Sequence, residues 1–321
     1  MIAASSLMQI VLHYAAGPEF ATRLSGLARQ GLSVSVCPIS DRGRFDELMA
    51  DAEVLWHLLE PVTAATLAAA PRLRLVQKIG VGVNTIDLDA AQRQGVAVCN
   101  MPGTNSQAVA EMTLLLMLGV LRMMVNLDAS TRAGRGWERP PALQDRYGEL
   151  RGRTVGLVGY GAVPRCLAPM LHAIGARVLF TSRSPRPGAV GEPRSLKDLL
   201  AESDIVSLHL PLAPDTERVI DADAIEGMRP GAILVNTARG GLVDEPALVA
   251  ALRSGRIGAA GLDVFATEPA ASANPLFELD NVVVSPHLAW LTRETLERSL
   301  VVAVENCRRL AAGAELLHRV V

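Results

Sequence analysis

The 321-residue chain is predicted to fold as an α/β protein made of two doubly wound parallel-sheet units. Three observations predict this. Short β-rich runs alternate with Ala- and Leu-rich helical stretches along the whole length, as parallel strands joined by crossover helices require. The length favours two domains over one. Half of the residues are hydrophobic and a fifth are charged, which suits a folded chain with a sizeable core.

The strand candidates of the first third are residues 9–13, 33–36, 53–56, 73–77 and 96–99. Those of the second part are residues 154–158, 177–181, 205–209, 232–236, 259–264 and 282–285. A strand-like run ends near Pro102-Gly103, and a helical stretch over 106–125 follows, then a polar, Pro-bearing piece over 133–149. Residues 292–312 form one long amphipathic pattern that is expected to return to the first unit. The domains are therefore placed at 1–102 with 288–321, a discontinuous unit, and at 103–287.

Composition excludes several classes. A net charge of −2 offers no attraction to nucleic acid or to an anionic membrane. Cys37, Cys99, Cys166 and Cys307 are scattered, with no C-x-x-C pair and no histidine at zinc spacing, so free thiols in a reducing cytoplasm are expected and no metal is assigned. The N-terminus MIAASSLMQIVLHY has no basic start or cleavage pattern and reads as a first strand. The longest apolar run, 112–121, is too short to span a bilayer and is expected to be a buried helix.

The chemistry concentrates in the second part. Residues 154–158 run as an apolar strand into Gly159-Tyr160-Gly161 and then Ala162-Val163. Gly159 permits a sharp turn, Gly161 lets backbone approach a phosphate, and the following helix supplies N–H groups and a positive dipole end. The third fingerprint position is Pro164 in place of Gly or Ala. Proline is tolerated in a first helical turn, and a slightly shifted phosphate loop is expected. The next strand ends in Thr181-Ser182-Arg183-Ser184 without the acid that usually binds the ribose hydroxyls. Ser182, Arg183 and Ser184 suit a 2′-phosphate, so NADP is preferred and NAD remains possible; Arg186 is the next basic side chain.

Downstream stand Arg239 in VNTARGG, Glu268 in GLDVFATEP and His287 in SPHLAW. A guanidinium holds a carboxylate by paired hydrogen bonds. A histidine backed by a carboxylate exchanges a proton near neutral pH. With a dinucleotide, these are the parts that move a hydride and a proton on a 2-keto or 2-hydroxy acid.

The ordered segments KIGVGVNTIDLDAA, NMPGTNSQAVAE, GELRGRTVGLVGYG, LHLPLAPDTERVI, MRPGAILVNTARGGLVDEPAL, GLDVFATEP and SPHLA resemble the D-isomer-specific 2-hydroxyacid dehydrogenase family over nearly the whole chain. The resemblance implies a Rossmann-type cofactor domain, a flavodoxin-like substrate domain and a homodimer paired through 106–125 and the arm reaching Trp137. It implies that Arg239 orients the substrate, that His287 is the acid/base and that Glu268 pairs with it. It gives Asp263 the nicotinamide carboxamide, and Thr104, Thr237 and Ala238 further cofactor contacts. Leu210, Pro211 and Thr216 border the cofactor, with ordinary loop packing an equal reading for the first two. Val81 and Gly82 bind the substrate carboxylate through backbone N–H groups, and Asn84 stands where an aspartate is common. Lys78 reads equally as an anion-binding ammonium or a solvated charge.

The loop at 57–60, with Leu58, and Trp290 after His287 are the substrate-side candidates. A leucine loop and an aromatic wall suit a small substituent, so glyoxylate and hydroxypyruvate lead, with 2-ketogluconate behind them. Phosphite oxidation and a cofactor-sensing, corepressor-like binding role are the alternatives.

Overall fold

The computed structural model describes residues 7–138, 141 and 143–321. The chain divides into two compact units, one comprising Met1–Thr104 and Thr292–Val321, the other Asn105–Leu291.

In the first unit five parallel strands, β1 (Met8–His13), β2 (Leu32–Cys37), β3 (Val54–His57), β4 (Leu75–Lys78) and β5 (Ala97–Cys99), lie in the order β2-β1-β3-β4-β5. This is the flavodoxin-like doubly wound order. Every residue of β3 and β4 is buried, because a parallel sheet is covered on both faces. One face packs Leu55 and Val76 against Phe45, Met49 and Leu67. The Arg293–Ala312 helix belongs to this unit: its buried Asn306 donates to Gln77 Oε1 at 2.6 Å. Val320 N–H donates to Val98 O at 2.7 Å, so the chain end shields the β5 edge from stray pairing.

The second unit holds seven parallel strands: β6 (Thr154–Val158), β7 (Arg177–Phe180), β8 (Glu192–Pro193), β9 (Ile205–Leu208), β10 (Ala232–Asn236), β11 (Ile257–Leu262) and β12 (Val282–Val284). Their order, β12-β11-β10-β9-β6-β7-β8, is the Rossmann arrangement with one further strand beside the last. The sheet core joins Val206, Leu208, Leu234, Ile257, Ala260 and Leu262.

Details differ from the sequence reading. The stretch 106–125 is helical as expected but broken: Ser106–Leu121 ends, Met123 takes φ 47°, and Met124–Arg132 continues bent by 63°. No Gly or Pro marks this break, so local propensity reads through it. No single helix among the described residues is long and apolar enough to cross a membrane. The strand expected to reach residue 264 stops at Leu262, because the Asp263 side chain turns to bind another loop, as described below. The two-residue β8 has no counterpart among the strand candidates. Its Pro193 is tolerated at a sheet edge, where Glu192 bonds Arg177 at 2.9 Å and Arg194 at 2.7 Å. The piece at 133–149 contains a short Leu143–Arg146 helix, while Arg139, Pro140 and Ala142 lie outside the described residues.

Candidate active site

Adjacent strands β10, β11 and β12 deliver Arg239, Glu268 and His287 just beyond their C-terminal ends, where ligands bind on open parallel sheets. His287 Nδ1–H donates to Glu268 Oε2 at 2.6 Å, and the two side chains are 24% and 34% exposed. Nε2 has no protein partner among the described residues. His287 has φ 55°, a left-handed conformation that non-glycine residues hold only where surroundings enforce it.

The enforcement comes from Asp263. Its carbonyl accepts His287 N–H at 2.7 Å. Its carboxylate accepts Ser285 Oγ–H at 2.5 Å, Leu288 N–H at 2.9 Å and Ala289 N–H at 2.9 Å. Burial pushes the Asp263 carboxyl up, against the opposing effect of these hydrogen bonds. Trp290 is buried and its Nε1–H donates to His287 O at 3.1 Å, so the indole braces the histidine turn.

Glu268 Oε1 also accepts Phe265 N–H at 3.0 Å. Burial raises its carboxyl pKa, but the His287 hydrogen bond and charge, the Phe265 amide and the Arg239 charge outweigh burial and hold it below the usual value. Burial lowers the Arg239 guanidinium while Glu268 opposes that shift; an arginine stays cationic regardless. Arg239 Nη1–H donates to Ala238 O at 2.6 Å. Asn236, at the end of β10, closes this turn from both sides, donating to Arg239 O at 2.8 Å and accepting Ala238 N–H at 3.0 Å.

The glycine turn is sharp at one end and open at the other. Gly159 has φ 100°, and an added Cβ would lie 2.8 Å from His209 O, so only glycine fits. Gly161 caps the Ala162–Ile174 helix, and a Cβ there would meet nothing within 4 Å. That open space lies before the amides of Ala162 and Val163, which have no acceptors within the helix. Pro164 falls in the same turn, and the ladder begins with Arg165 N–H to Gly161 O at 3.3 Å. Its missing donor therefore costs the helix nothing. Gly159 N–H is already taken by Thr181 Oγ1 at 2.9 Å.

Several sequence candidates serve the scaffold. The Tyr160 hydroxyl donates to Val190 O at 3.0 Å and accepts Val190 N–H at 2.9 Å, so only its backbone belongs to the turn. Thr216 Oγ1 donates to Pro211 O at 2.6 Å and accepts Ala213 N–H at 2.9 Å, closing its own loop, and Leu210 packs beside Gly159. Thr113 donates to Val109 O, so the Thr237 hydroxyl must donate to Thr113 across their 2.8 Å contact. Arg183 is 91% exposed and stands 3.8 Å from Asp215. Ser184 is exposed, and Ser182 Oγ accepts Arg186 Nε–H at 3.0 Å.

In the first unit, Leu58 and Lys78 are buried, and the Lys78 ammonium donates to Leu58 O. The solvated reading of Lys78 is thus ruled out, and the Leu58 side chain belongs to the interior. Val81 is exposed and Gly82 half-buried. Thr104 Oγ1 donates to Met101 O at 3.2 Å.

The sequence profile described as the NAD binding domain of D-isomer specific 2-hydroxyacid dehydrogenases matches residues 114–289, more than half of the chain. The chain belongs to this dehydrogenase family. It is 42% identical over 273 residues to a glyoxylate reductase of Aeropyrum pernix, covering 82% of this chain and 81% of that one. It is 44% identical over 256 residues to a D-3-phosphoglycerate dehydrogenase of Mycobacterium leprae, covering 78% of this chain and 48% of the relative. The chain thus spans about half the length of the mycobacterial relatives it matches. A crystal structure of a protein from Thermus thermophilus superposes with a TM-score of 0.88 at 36% identity, covering 98% of this chain and all of the other.

Within this family member, sequence reasoning missed the residues that hold the trio in place. Asn236 and Ser285 read as no more than strand-end polar residues; Asp215, which faces Arg183 and not the trio, reads as part of a loop. Gly240 had a visible signal in its glycine pair: a Cβ there would fall 1.9 Å from the Phe265 carbonyl, so the Arg239 segment lies directly on the loop leading to Glu268.

Proposed function

We propose that this dehydrogenase reduces a small 2-keto acid, of the glyoxylate or hydroxypyruvate kind, to the D-2-hydroxy acid, preferring NADPH and accepting NADH. The observation that carries this reading is the 2.6 Å His287–Glu268 contact beside Arg239. A reduced nicotinamide, when bound, would supply the hydride for this reduction. Arg239 binds the substrate carboxylate by paired N–H bonds and polarises the keto oxygen. His287 delivers the proton to that oxygen from Nε2 and takes it back in the oxidative direction. Glu268, accepting from Nδ1–H, fixes the tautomer and favours the charged ring.

The cofactor is assigned to the backbone from Gly159 to Val163, with Ser182, Arg183 and Ser184 at the 2′-phosphate; the missing acid after β7 supports NADPH. Thr237, Ala238 and Asp263 keep the nicotinamide-side role that the resemblance implies. The exposed Val81 and its neighbour Gly82 keep their substrate role in the same way. A homodimer is supported by the exposed apolar side chains Leu115, Leu118, Met124, Val125 and Trp137, and a cytoplasmic location by four free cysteines.

The test is NADPH against NADH oxidation with glyoxylate, hydroxypyruvate, pyruvate and 2-ketogluconate in parallel. We expect an NADPH-driven rate on one of the first two, and His287→Ala to lose about 10²- to 10⁴-fold in turnover. Near-normal turnover by His287→Ala would overturn the assignment.

A further inference from the structure

We propose that Glu245 is a positioning residue that places the Glu268 carboxylate against His287 by bracing the loop between β11 and the 3₁₀ turn at Pro275–Glu278. The inference rests on the reading that His287 and Glu268 form the proton-transfer pair.

After Asp263 the chain runs without regular structure as far as Asn274. Such a segment has no ladder of its own, yet Glu268 must hold its carboxylate to within hydrogen-bonding distance of a ring on another strand end. Among the described residues, two amides of the stretch 264–269 have side-chain acceptors. Phe265 N–H bonds Glu268's own Oε1, which couples the carboxylate to the loop. Ala266 N–H bonds Glu245 Oε2 at 2.9 Å, which couples the loop to the protein. The other Glu245 oxygen accepts Asn274 Nδ2–H at 2.9 Å, and Asn274 Oδ1 accepts Leu276 N–H at 2.9 Å. One carboxylate therefore ties both limbs of the loop.

Glu245 is well suited to this. It is the first residue of the Glu245–Ser254 helix, where a negative charge is stabilised by the helix dipole. It is not needed as the cap, because Asp244 accepts Ala247 N–H at 3.1 Å. It follows the Arg239–Gly240 segment, whose glycine lies against Phe265. The loop is thus gripped at Phe265 by close packing and at Ala266 by a charge-assisted hydrogen bond, roughly twice as strong as a neutral one.

The test compares Glu245→Ala, Glu245→Gln and Glu268→Ala in the full chain. The charged groups facing His287 are Glu268 and Asp263, with Arg239 facing Glu268, and none is altered in the Glu245 variants. One readout is turnover. The other, independent of any substrate, is the downfield NMR resonance of the His287 Nδ1–H in its short bond to Glu268, assigned by its loss in His287→Ala.

We expect Glu245→Ala to lower kcat about tenfold, since sub-ångström misplacement of a catalytic group carries such costs, with the cofactor KM little changed and the resonance shifted or broadened. Glu245→Gln, whose amide oxygen still accepts Ala266 N–H but whose NH2 group faces the Asn274 Nδ2–H donor, recovers only part of the turnover. In the Glu268→Ala background, Glu245→Ala costs little more. If Glu245→Ala does not fold, Asn274→Asp keeps the Leu276 bond while repelling Glu245, and the same loss is expected. An unshifted resonance and wild-type kcat per folded molecule, or an equal loss with and without Glu268, overturns the proposal. Absence of wild-type turnover on every 2-keto acid would instead overturn the functional reading, with the resonance still deciding the brace.

Discussion

Asp263 holds His287 through main chain and side chain at once: its carbonyl accepts the His287 amide at 2.7 Å, and its carboxylate gathers Ser285, Leu288 and Ala289 around that residue. The left-handed backbone of His287 is the consequence. In Asp263→Asn the carbonyl oxygen still serves Ser285 and Leu288, but an NH2 group faces the buried Ala289 amide. An orphaned buried donor costs about 1–3 kcal/mol, so the melting temperature should fall by about 2–6 °C. We expect kcat to fall at least about tenfold as the ring shifts. Steady-state kinetics beside a thermal melt checks this, and unchanged kcat would separate the clamp from catalysis.

Substitutions at the two glycines of the turn should separate folding from the proposed cofactor binding. Gly159→Ala forces a side chain into φ 100° and onto His209 O, so the fold itself should lose stability. Gly161 has ordinary φ of −85° and open space around its missing Cβ. Gly161→Ala should melt like the wild type yet bind NADPH about tenfold or more weakly, because its methyl occupies the path of backbone to phosphate. Equal affinity in a titration would move the pyrophosphate elsewhere.

With the 2′-phosphate at Arg183 as proposed, coenzyme choice should turn on a pair of opposite charges. Arg183→Ala should lower kcat/KM for NADPH about tenfold relative to NADH, as loss of a charged phosphate contact does. Asp215, 3.8 Å from Arg183, competes with any 2′-phosphate placed there. Unit charges 4 Å apart in water interact by about 1 kcal/mol before screening. Asp215→Asn should therefore raise the NADPH-to-NADH ratio about two- to fivefold, more at low salt. A ratio insensitive to both changes places the 2′-phosphate away from β7.

Acid should weaken the first unit through His57. Burial, then the Lys78 charge, lowers this histidine from 6.5 to about 3, although its bond to Glu60 O opposes the shift. Below pH 6.5 the unfolded chain takes up a proton that the fold refuses. The stability held by the neutral ring is complete above that pH and is lost progressively as pH falls towards 3. His57→Gln keeps an amide donor for Glu60 O but does not titrate. Its melting temperature should drop less between pH 7 and pH 4.5 than that of the wild type. Parallel curves would show that other groups control acid unfolding.

Much of this protein was legible in short stretches of sequence. Strand runs such as Val155–Leu157 and Val206–Leu208 are apolar enough to declare buried parallel strands. The Gly159 turn and the Arg239–Glu268–His287 order sit at strand ends whose chemistry is carried by a few consecutive residues. What local pattern could not show was which distant group each side chain would meet. Asp263 reads as a strand-end acid until Ser285 and Ala289 are brought beside it; Glu245 reads as a helix-start charge until Ala266 and Asn274 arrive; Asp215 is loop polarity until Arg183 stands opposite. Lys78 reads equally as an anion-binding ammonium or a solvated charge, and only the fold buries its ammonium on Leu58 O. Propensity and periodicity act over a few residues, so they settle strands, turns and motif order. Hydrogen bonds and charge pairs act over ångströms in space, and only the folded sheets bring residues twenty or more positions apart within that reach.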